Sequence, residues 1–142
     1  MPPMSETVRD AMVPEPTTLA AEASAQELGR CFADNDDVRA IFVTEDDGRL
    51  LGVVTRKTLV REVVAAGRDP SSTQLGEIVE PPIFTLDAEL DLEAAFHEIE
   101  QRDLERVPVV EGGRLVGILS RAVVQRRLAE DEQPPDESRK DA

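Results

Sequence analysis

One segment of nine residues occurs twice in this chain, at 48–56 and again at 113–121. The two segments read GRLLGVVTR and GRLVGILSR, with five identical positions and four conservative differences. A unit that is repeated within one short chain usually buries its apolar face against its own copy. Function is therefore expected at equivalent places in the two copies and in the cleft between them.

The composition restricts the size of the fold and the class of partner. A chain of 142 residues predicts one compact domain or two closely packed half-domains, and the aromatic content of 3% predicts an aliphatic core. The formal charge of −14 opposes binding to nucleic acid and to anionic membranes. A single cysteine, the lack of a long apolar run and the lack of a signal-peptide pattern predict a cytoplasmic protein.

The first copy predicts a short extended segment, a capped helix, a hairpin and a second helix. The extended segment covers 17–19, and Ser24 with Glu27 three residues later is typical of a helix N-terminus. The hairpin covers 40–54, with an Asp-Gly turn, and Thr55 caps the second helix. The apolar residues expected on the inner face of that helix are Leu59, Val60, Val63 and Val64.

The second copy repeats this order and so defines the fold class. An extended segment at 83–86 precedes a helix capped by Asp91, a hairpin over 107–119 and a last helix that begins at Ser120. The order β-α-β-β-α is therefore predicted twice, which indicates an α+β fold.

Two half-domains and a tail follow from this order. We assign residues 8–67 to the first half-domain and 75–129 to the second, with a turn-rich linker between them. The acidic tail at 131–142 has no apolar periodicity and is predicted to be disordered.

Three motifs resemble those of cystathionine-β-synthase (CBS) domains, in the tandem arrangement called a Bateman module. They are the Met-x-Pro-x-Pro segment at 12–16, the Arg-aliphatic-Pro-Val-Val strand at 106–110, and the strand ends at Thr55 and Ser120. The resemblance covers the chain from about Val8 to Leu128. It implies a non-catalytic sensor whose copies pack about a pseudo-twofold axis and bind AMP, ADP, ATP or S-adenosylmethionine between them.

The strand-to-helix junctions at Thr55 and Ser120 are candidate phosphate sites. A hydroxyl at a helix N-terminus lies beside unpaired backbone N–H groups and the positive end of the helix dipole. Arg56 and Arg121 follow directly and can add charge-assisted hydrogen bonds. The alternative is that both hydroxyls are ordinary N-caps and both arginines are solvated.

The ribose position departs from the family pattern. The resemblance implies Thr/Ser-x-x-Asp, with the Asp accepting hydrogen bonds from the ribose, but Thr58 and Val123 occupy this position here. Losing a hydrogen bond to a charged acceptor weakens binding by roughly ten- to a hundredfold. Thr58 retains a hydroxyl, which makes the first copy the better candidate.

The resemblance also implies a base pocket between the strands. Pro108 matches the family's proline, whereas the first copy has Phe42 there. The alternative is that these positions are simply core. The predicted ligand-binding residues are Thr17, Thr18, Ile41, Thr55, Arg56, Thr58, Ile83, Phe84, Thr85, Arg106, Val107, Pro108, Ser120, Arg121 and Val123.

Other polar residues favour neither catalysis nor a metal site. His97 is expected on the solvent side of its helix, Cys31 on an apolar face, and the acidic clusters at 34–37 and 45–47 in solvated turns. No nucleophile elbow or Walker loop is present, so we predict no enzyme and no cofactor other than a regulatory ligand.

Two functions remain open at this point. The chain is either a nucleotide sensor that signals to an unidentified protein partner in trans, or a ligand-free module for dimerisation and protein interaction. The missing ribose acceptors favour the second, and the Thr/Ser-Arg junctions favour the first. A homodimer is expected in both, because the apolar helix faces exceed what one partner copy can bury. The residues of these faces are Leu28, Phe32, Leu59, Val63, Phe96, Ile99, Val124 and Leu128.

Overall fold

The computed structural model describes residues 6–14, 16–82 and 84–132, which form an α+β fold as predicted. The first copy contains α1 (Val8–Ala11), β1 (Val13–Pro14), β2 (Thr18–Ala20), α2 (Ala25–Asp34), β3 (Ala40–Thr44), β4 (Leu50–Thr55) and α3 (Arg56–Leu59), which continues as a π-helical turn over Val60–Val64. The second copy contains α4 (Leu75–Ile78), β5 (Leu86–Asp87), α5 (Leu92–Arg102), β6 (Arg106–Glu111), β7 (Arg114–Ser120) and α6 (Arg121–Glu132).

Local capping signals in the sequence set the starts of the longer helices. The Ser24 hydroxyl accepts the Glu27 N–H at 3.1 Å, and the Glu27 carboxylate accepts the Ser24 N–H at 3.4 Å. The Asp91 carboxylate accepts the Ala94 N–H at 3.2 Å. These bonds pair N–H groups that a helix leaves unsatisfied, so both predicted caps are confirmed.

The leading segments of the two copies are exchanged between the two sheets. One sheet has the order β2-β3-β4, and the other has the order β1-β7-β6-β5. Strand β1 thus leaves its own copy, and Val13 pairs with Ile118 of the second. Reciprocally, Glu80 exchanges two backbone hydrogen bonds with Val53 of β4, at 2.8 and 3.0 Å.

The same exchange completes both hydrophobic cores. Leu75 and Ile78 of α4 lie in the core of the first copy, exposed by 0% and 4%. Val8 and Ala11 of α1 lie in the core of the second. Neither core is complete without a helix that the sequence places in the other copy.

The two hairpin turns meet at the pseudo-twofold axis. The Leu50 N–H donates to the Gly113 carbonyl, and the Leu115 N–H donates to the Gly48 carbonyl, both at 3.0 Å. Arg49 and Arg114 face each other in this antiparallel bridge. The reciprocal bonds relate one copy to the other by a twofold rotation.

Some local predictions differ from the structure. Val60 and Val64 are exposed by 55% and 67%, whereas Val63 between them is buried, so two of the four residues expected on the inner face of this helix do not lie there. The short helices α1 and α4 were not predicted. Helix α6 continues to Glu132, past the predicted start of the tail, and the rest of the tail lies outside the described residues.

Candidate ligand-binding cleft

Two cavities lie between the copies, and each is lined by residues of both. The Ser120 cavity has a volume of about 580 Å³ and the Phe84 cavity one of about 570 Å³, within the usual range for small-molecule sites. Characteristic residues of the Ser120 cavity are Pro16, Thr17, Val38, Ile41, Ser120 and Val123. Characteristic residues of the Phe84 cavity are Phe42, Val53, Pro82, Phe84, Leu104 and Pro108.

The Ser120 cavity combines features that the sequence analysis had assigned to different copies. Thr17 and Ile41, both predicted ligand-binding residues, come from the first copy. Ser120 and Val123, predicted on the phosphate and ribose side, come from the second. The exchange of β1 causes this arrangement. Strand β1 pairs with β7 of the second copy, so Thr17, which follows β1, lines the same cavity as Ser120 at the end of β7.

The junction between β4 and α3 is closed by its own side chains. Thr58 is fully buried, and its hydroxyl donates to the Glu80 carboxylate at 2.5 Å. Thr55 caps the helix as predicted: its hydroxyl accepts the Thr58 N–H at 3.1 Å and lies 2.9 Å from the Thr58 hydroxyl. The predicted phosphate and ribose positions of this junction are therefore engaged within the chain.

A neighbouring arginine strengthens this closure. Arg61 donates to the Glu80 carboxylate at 3.1 Å and to Glu62 at the same distance. The hydrogen bond to Glu62 and the charge of Glu80 raise the pKa of Arg61 above its ordinary value. Arg61 and Thr58 thus both donate to the same carboxylate oxygen of Glu80.

The junction between β7 and α6 is open by comparison. The Ser120 hydroxyl is 3.5 Å from the Val123 N–H, at the limit of a hydrogen bond. Ser120 and Val123 are both half-buried and line the cavity. The Ser120 hydroxyl is therefore accessible to a ligand, and Val123 offers only methyl groups beside it.

The two predicted phosphate arginines are engaged elsewhere. Arg56 donates to the Phe32 carbonyl at 2.9 Å, and its guanidinium lies 4.9 Å from the centre of the Phe32 ring. Arg121 forms ion pairs with Asp103 at 3.1 Å and with Glu105 at 3.6 Å. Both side chains bind within the fold, and neither lines the two cavities described above.

Two other arginines lie in the cleft instead. Arg39 and Arg106 are exposed and line both cavities. No carboxylate of residues 6–14, 16–82 or 84–130 lies within 4.0 Å of either guanidinium. Asp37 also lines both cavities and is the sole carboxylate among the described lining residues of the Ser120 cavity. Arg39 and Asp37 were not predicted, because a charged turn between α2 and β3 has no local signature of a binding site.

The remaining predicted residues are distributed between cleft and core. Phe84 lines its cavity and lies beneath the Arg102 guanidinium, 4.1 Å from the ring centre. Val107 is fully buried in the second core, and Thr18 is half-buried in β2. Thr85 is half-buried before β5, Pro108 lines the Phe84 cavity, and Ile83 lies outside the described residues.

Two further observations concern metals and membranes. Within residues 6–14, 16–82 and 84–130, no three His, Cys, Asp or Glu side chains form a group able to hold a metal ion. In the same ranges, the helices are too short or too polar to cross a bilayer.

Residues 8–65 and 75–130 both match the family model of the CBS domain, so the chain belongs to this family and is a tandem CBS pair. Hypoxic response protein 1 of Mycobacterium tuberculosis is 33% identical over 130 residues, covering 87% of this chain and 86% of that protein. A crystal structure of Hypoxic Response Protein I with two coordinated zinc ions has a TM-score of 0.71 at 29% identity, covering 91% of this chain and 100% of that one. CBSX2 in complex with AMP has a TM-score of 0.69 at 23% identity, covering 89% and 98%.

Proposed function

We propose that this CBS pair is a regulatory module that binds an adenosine-containing ligand in the Ser120 cavity and signals to a partner protein in trans. One observation carries the proposal: the cavity joins Thr17 and Ile41 of one copy to Ser120 of the other, beside two arginines that have no ion-pair partner among the described side chains. A ligand in this place contacts both copies at once. Binding is thereby coupled to their relative orientation.

The charges in the cleft favour an anionic ligand. The chain as a whole carries a net charge of −14, which repels anions. Arg39 and Arg106 are exceptions in the cleft, because no carboxylate within the described residues neutralises them. Guanidinium groups bind phosphate through paired hydrogen bonds, so AMP, ADP and ATP should bind better than adenosine.

Asp37 is a candidate for the ribose acceptor that the motif lacks. Val123 cannot accept a hydrogen bond, but the Asp37 carboxylate lines the same cavity. A carboxylate can accept from both ribose hydroxyls. We therefore assign ribose recognition to Asp37, and the proposal requires no residue at the family's Asp position.

Structural relatives support an adenosine ligand through the shared fold. CBSX2 is described in complex with AMP, and S-adenosylmethionine remains a second candidate for this chain. The proposed function includes no chemical step, since the ligand acts by shifting the population of two arrangements of the copies. Such a shift requires that the ligand bind one arrangement more tightly than the other.

Titration calorimetry with AMP, ADP, ATP and S-adenosylmethionine tests this proposal. We expect Arg106→Gln and Arg39→Gln each to weaken AMP binding by roughly tenfold or more, and Asp37→Asn to weaken both AMP and adenosine. Arg126→Gln is the matched control, because Arg126 is an exposed arginine of α6 that lines neither described cavity. Absence of binding by all four ligands, or equal losses in Arg126→Gln, would reject the sensor function.

The second candidate is a ligand-free module for dimerisation and protein interaction. Exposed valines favour it: Val60 and Val64 are exposed side chains of the π-helical turn, and Val64 lies next to Gly29 and Ala33 of α2. Most of the apolar helix-face side chains expected at a homodimer interface are buried within the chain and cannot form that interface. Those buried residues are Leu28, Phe32, Val63, Ile99 and Val124.

A homodimer is still proposed, now through the Val60 and Val64 face. Light scattering should give a dimer mass for the native chain at tens of micromolar. A Val60→Lys, Val64→Lys double variant should give a monomer, because two charges would then be buried in the interface. A monomeric native chain would exclude this mode of assembly.

A further inference from the structure

Helices α1 and α4 occupy equivalent places in the two copies, but only α1 carries an arginine there. The Arg9 N–H donates to the Ala88 carbonyl, and the Gly76 N–H donates to the Ala21 carbonyl, both at 2.9 Å. Each of these carbonyls belongs to the residue three positions before the N-cap of a long helix, α5 or α2. Gly76 is therefore the counterpart of Arg9.

Arg9 joins two carboxylates of the second copy. Its guanidinium lies 2.7 Å from the Glu89 carboxylate and 2.5 Å from that of Glu111. Its Nε and one terminal nitrogen both donate to Glu89. The hydrogen bond to Glu89 and the charge of Glu111 raise the pKa of Arg9 above its ordinary value. Arg9 thus offsets the charge of two acids that would otherwise repel each other.

The first copy has the same two acids without the arginine. Glu22 is the counterpart of Glu89, because both lie two residues before the N-cap of a long helix. Glu45 is the counterpart of Glu111, because both directly follow the strand residue whose carbonyl accepts an N–H from the chain before that helix. Gly76 has no side chain to place beside Glu22 and Glu45, so their charges are not offset as those of the second copy are.

A surface cavity of about 390 Å³ lies at this place in the first copy. Its carboxylates come from Glu22, Glu45, Asp46 and Asp47, and we call it the acidic cavity. Asp47 forms an ion pair within its own turn, at 3.4 Å. None of the described Lys, Arg or His side chains lies within 4.0 Å of the other three carboxylates. The first copy therefore has more acidic groups here than the second copy and no internal arginine to bind them.

We propose that the acidic cavity is a docking site for a partner protein, which inserts an arginine side chain beside Glu22 and Glu45. The second copy shows which group such a pair of acids binds, because Arg9 fills the equivalent place there. The inference rests on the proposed function for the existence of a partner protein, but it requires no nucleotide in the cleft.

The chemistry of the acidic cavity favours a guanidinium over other cations. A guanidinium can donate to two carboxylates at once, whereas a lysine ammonium is a single point charge. The described carboxylates form no group able to hold a metal ion, which favours an organic cation. Ala21 and Leu51 also line the cavity, and they can contact the methylene groups of an arginine side chain.

Titration of the full chain with short blocked peptides, followed by amide chemical shifts, tests the inference. The first probe has one arginine between two pairs of glycines, and the second has citrulline, which has the shape of arginine without its charge. Exposed ion pairs are weak, so we expect the arginine peptide to bind with a dissociation constant on the order of 1 mM and to shift the amides of residues 21–22 and 45–47. The citrulline peptide should bind about tenfold more weakly or not at all.

Variants distinguish a specific site from general attraction to an acidic protein. Glu22→Gln and Glu45→Gln should each weaken binding of the arginine peptide by about tenfold. Glu100→Gln removes an exposed carboxylate of α5 and should leave the binding unchanged. Gly76→Arg supplies the arginine internally and should abolish binding. A Cβ at Gly76 lies 3.4 Å from the Ala21 carbonyl oxygen, an ordinary contact, so Gly76→Ala should bind the peptide as the native chain does.

Three results would overturn the inference. The first is equal binding of the arginine and citrulline peptides, or equal losses in Glu45→Gln and Glu100→Gln. The second is binding of free L-arginine as tightly as the peptide, which would indicate a site for a small molecule. The third is a dimer of the native chain that becomes a monomer in Glu45→Gln by light scattering, because a second copy would then supply the arginine.

The failure of this inference is distinguishable from the failure of the sensor function. If AMP binds and the arginine peptide does not, the docking site is wrong and the sensor function stands. If the arginine peptide binds as expected and none of the adenosine ligands does, the docking site stands and the sensor function fails.

Discussion

The two strand-to-helix junctions begin from nearly the same sequence and end in opposite states. At the β4–α3 junction Thr58 is buried beneath Glu80, and the hydroxyls are bonded to each other. At the β7–α6 junction the Ser120 hydroxyl faces a cavity and has only a marginal contact within the chain. The repeated sequence thus provides the same backbone twice, and a few substituted side chains decide which copy is accessible.

Two pairs of equivalent positions account for the difference. Glu80 pairs with Val53 of β4, and Val13 forms the corresponding pair with Ile118 of β7. Thr58 and Val123 are equivalent because each lies three residues after the hydroxyl residue of its junction. At the β4–α3 junction both residues are polar, so they bond to each other and close the junction. At the β7–α6 junction both are valines, which cannot bond to the hydroxyl beside them, and the junction stays open.

The largest expected effect comes from separating the copies. A fragment of residues 1–67 lacks α4, whose Leu75 and Ile78 complete the first core, and leaves Val8 without its partners. We expect this fragment to show no cooperative thermal transition by circular dichroism, whereas the full chain should melt in one step. A sharp melt of the fragment would show that each copy folds alone.

Glycine substitutions compare the two strand crossings. A Cβ at Gly52 would lie 2.1 Å from the Glu80 carbonyl oxygen, and one at Gly117 would lie 2.5 Å from the Met12 sulfur. Gly52→Ala should lower the free energy of unfolding by about 1–3 kcal/mol in urea titrations. Gly117→Ala should lower it less, because the Met12 side chain can move and the backbone contact there, with the Val13 carbonyl oxygen at 2.8 Å, is less severe than the one at Gly52.

Gly29→Ala is the control for these two variants. The nearest atom to its added Cβ is 3.8 Å away, on Leu59, and Gly29 lies within α2. This variant should be stabilised by about 0.5–1 kcal/mol, since alanine is favoured over glycine in a helix. Equal losses of stability in all three variants would mean that the close contacts of Gly52 and Gly117 with the exchanged segments do not cause the loss.

Aspartate at the ribose position should have opposite effects in the two copies. Val123→Asp adds a charged acceptor to an open cavity and should tighten AMP binding by about 1–3 kcal/mol. Thr58→Asp removes the donor to Glu80, adds a second carboxylate and should lower the free energy of unfolding by about 1–3 kcal/mol. Calorimetry and urea titration measure the two effects. Tighter AMP binding in Thr58→Asp, with unchanged stability, would contradict a closed first junction.

The smallest expected effect is the coupling between Thr58 and Glu80. In a double-mutant cycle, Thr58→Val and Glu80→Ala should be coupled by about 1 kcal/mol, as their hydrogen bond is partly exposed to solvent. Glu89, an exposed residue of the second copy, provides the control, because Glu89→Ala and Thr58→Val should add within about 0.5 kcal/mol. Additive effects in both cycles would show that the hydrogen bond between Thr58 and Glu80 makes no measurable contribution to the free energy of unfolding.

The elements of the fold were largely predictable, but their exchange was not. Caps such as Ser24 with Glu27, and the Asp-Gly hairpin, are local patterns that act within a few residues. Pairing of β1 with β7 joins Val13 to Ile118, across more than a hundred positions, and has no local pattern. One available signal was Gly52 and Gly117, since a glycine within a strand often marks a close approach of another backbone.

The site was predictable in its types of residue and only partly in its partners. Ser120 and Thr17 were expected near a ligand, and they line one cavity. Arg56 has the charge that a phosphate site needs, but a sequence does not show that a carbonyl of α2 binds it first. Arg39, by contrast, lies in a charged turn that resembles a solvated loop. Whether an arginine can bind a ligand depends on its tertiary contacts, and the sequence alone does not show these contacts.

Amide chemical shifts during a titration with AMP test the central claim most directly, because they report on both junctions in one experiment. We predict concentration-dependent shifts at Thr17 and at residues 120–123, and none beyond the background at residues 55–58. Shifts at 55–58 without shifts at 120–123 would contradict the account, because the ligand would then bind at the junction that Glu80 closes.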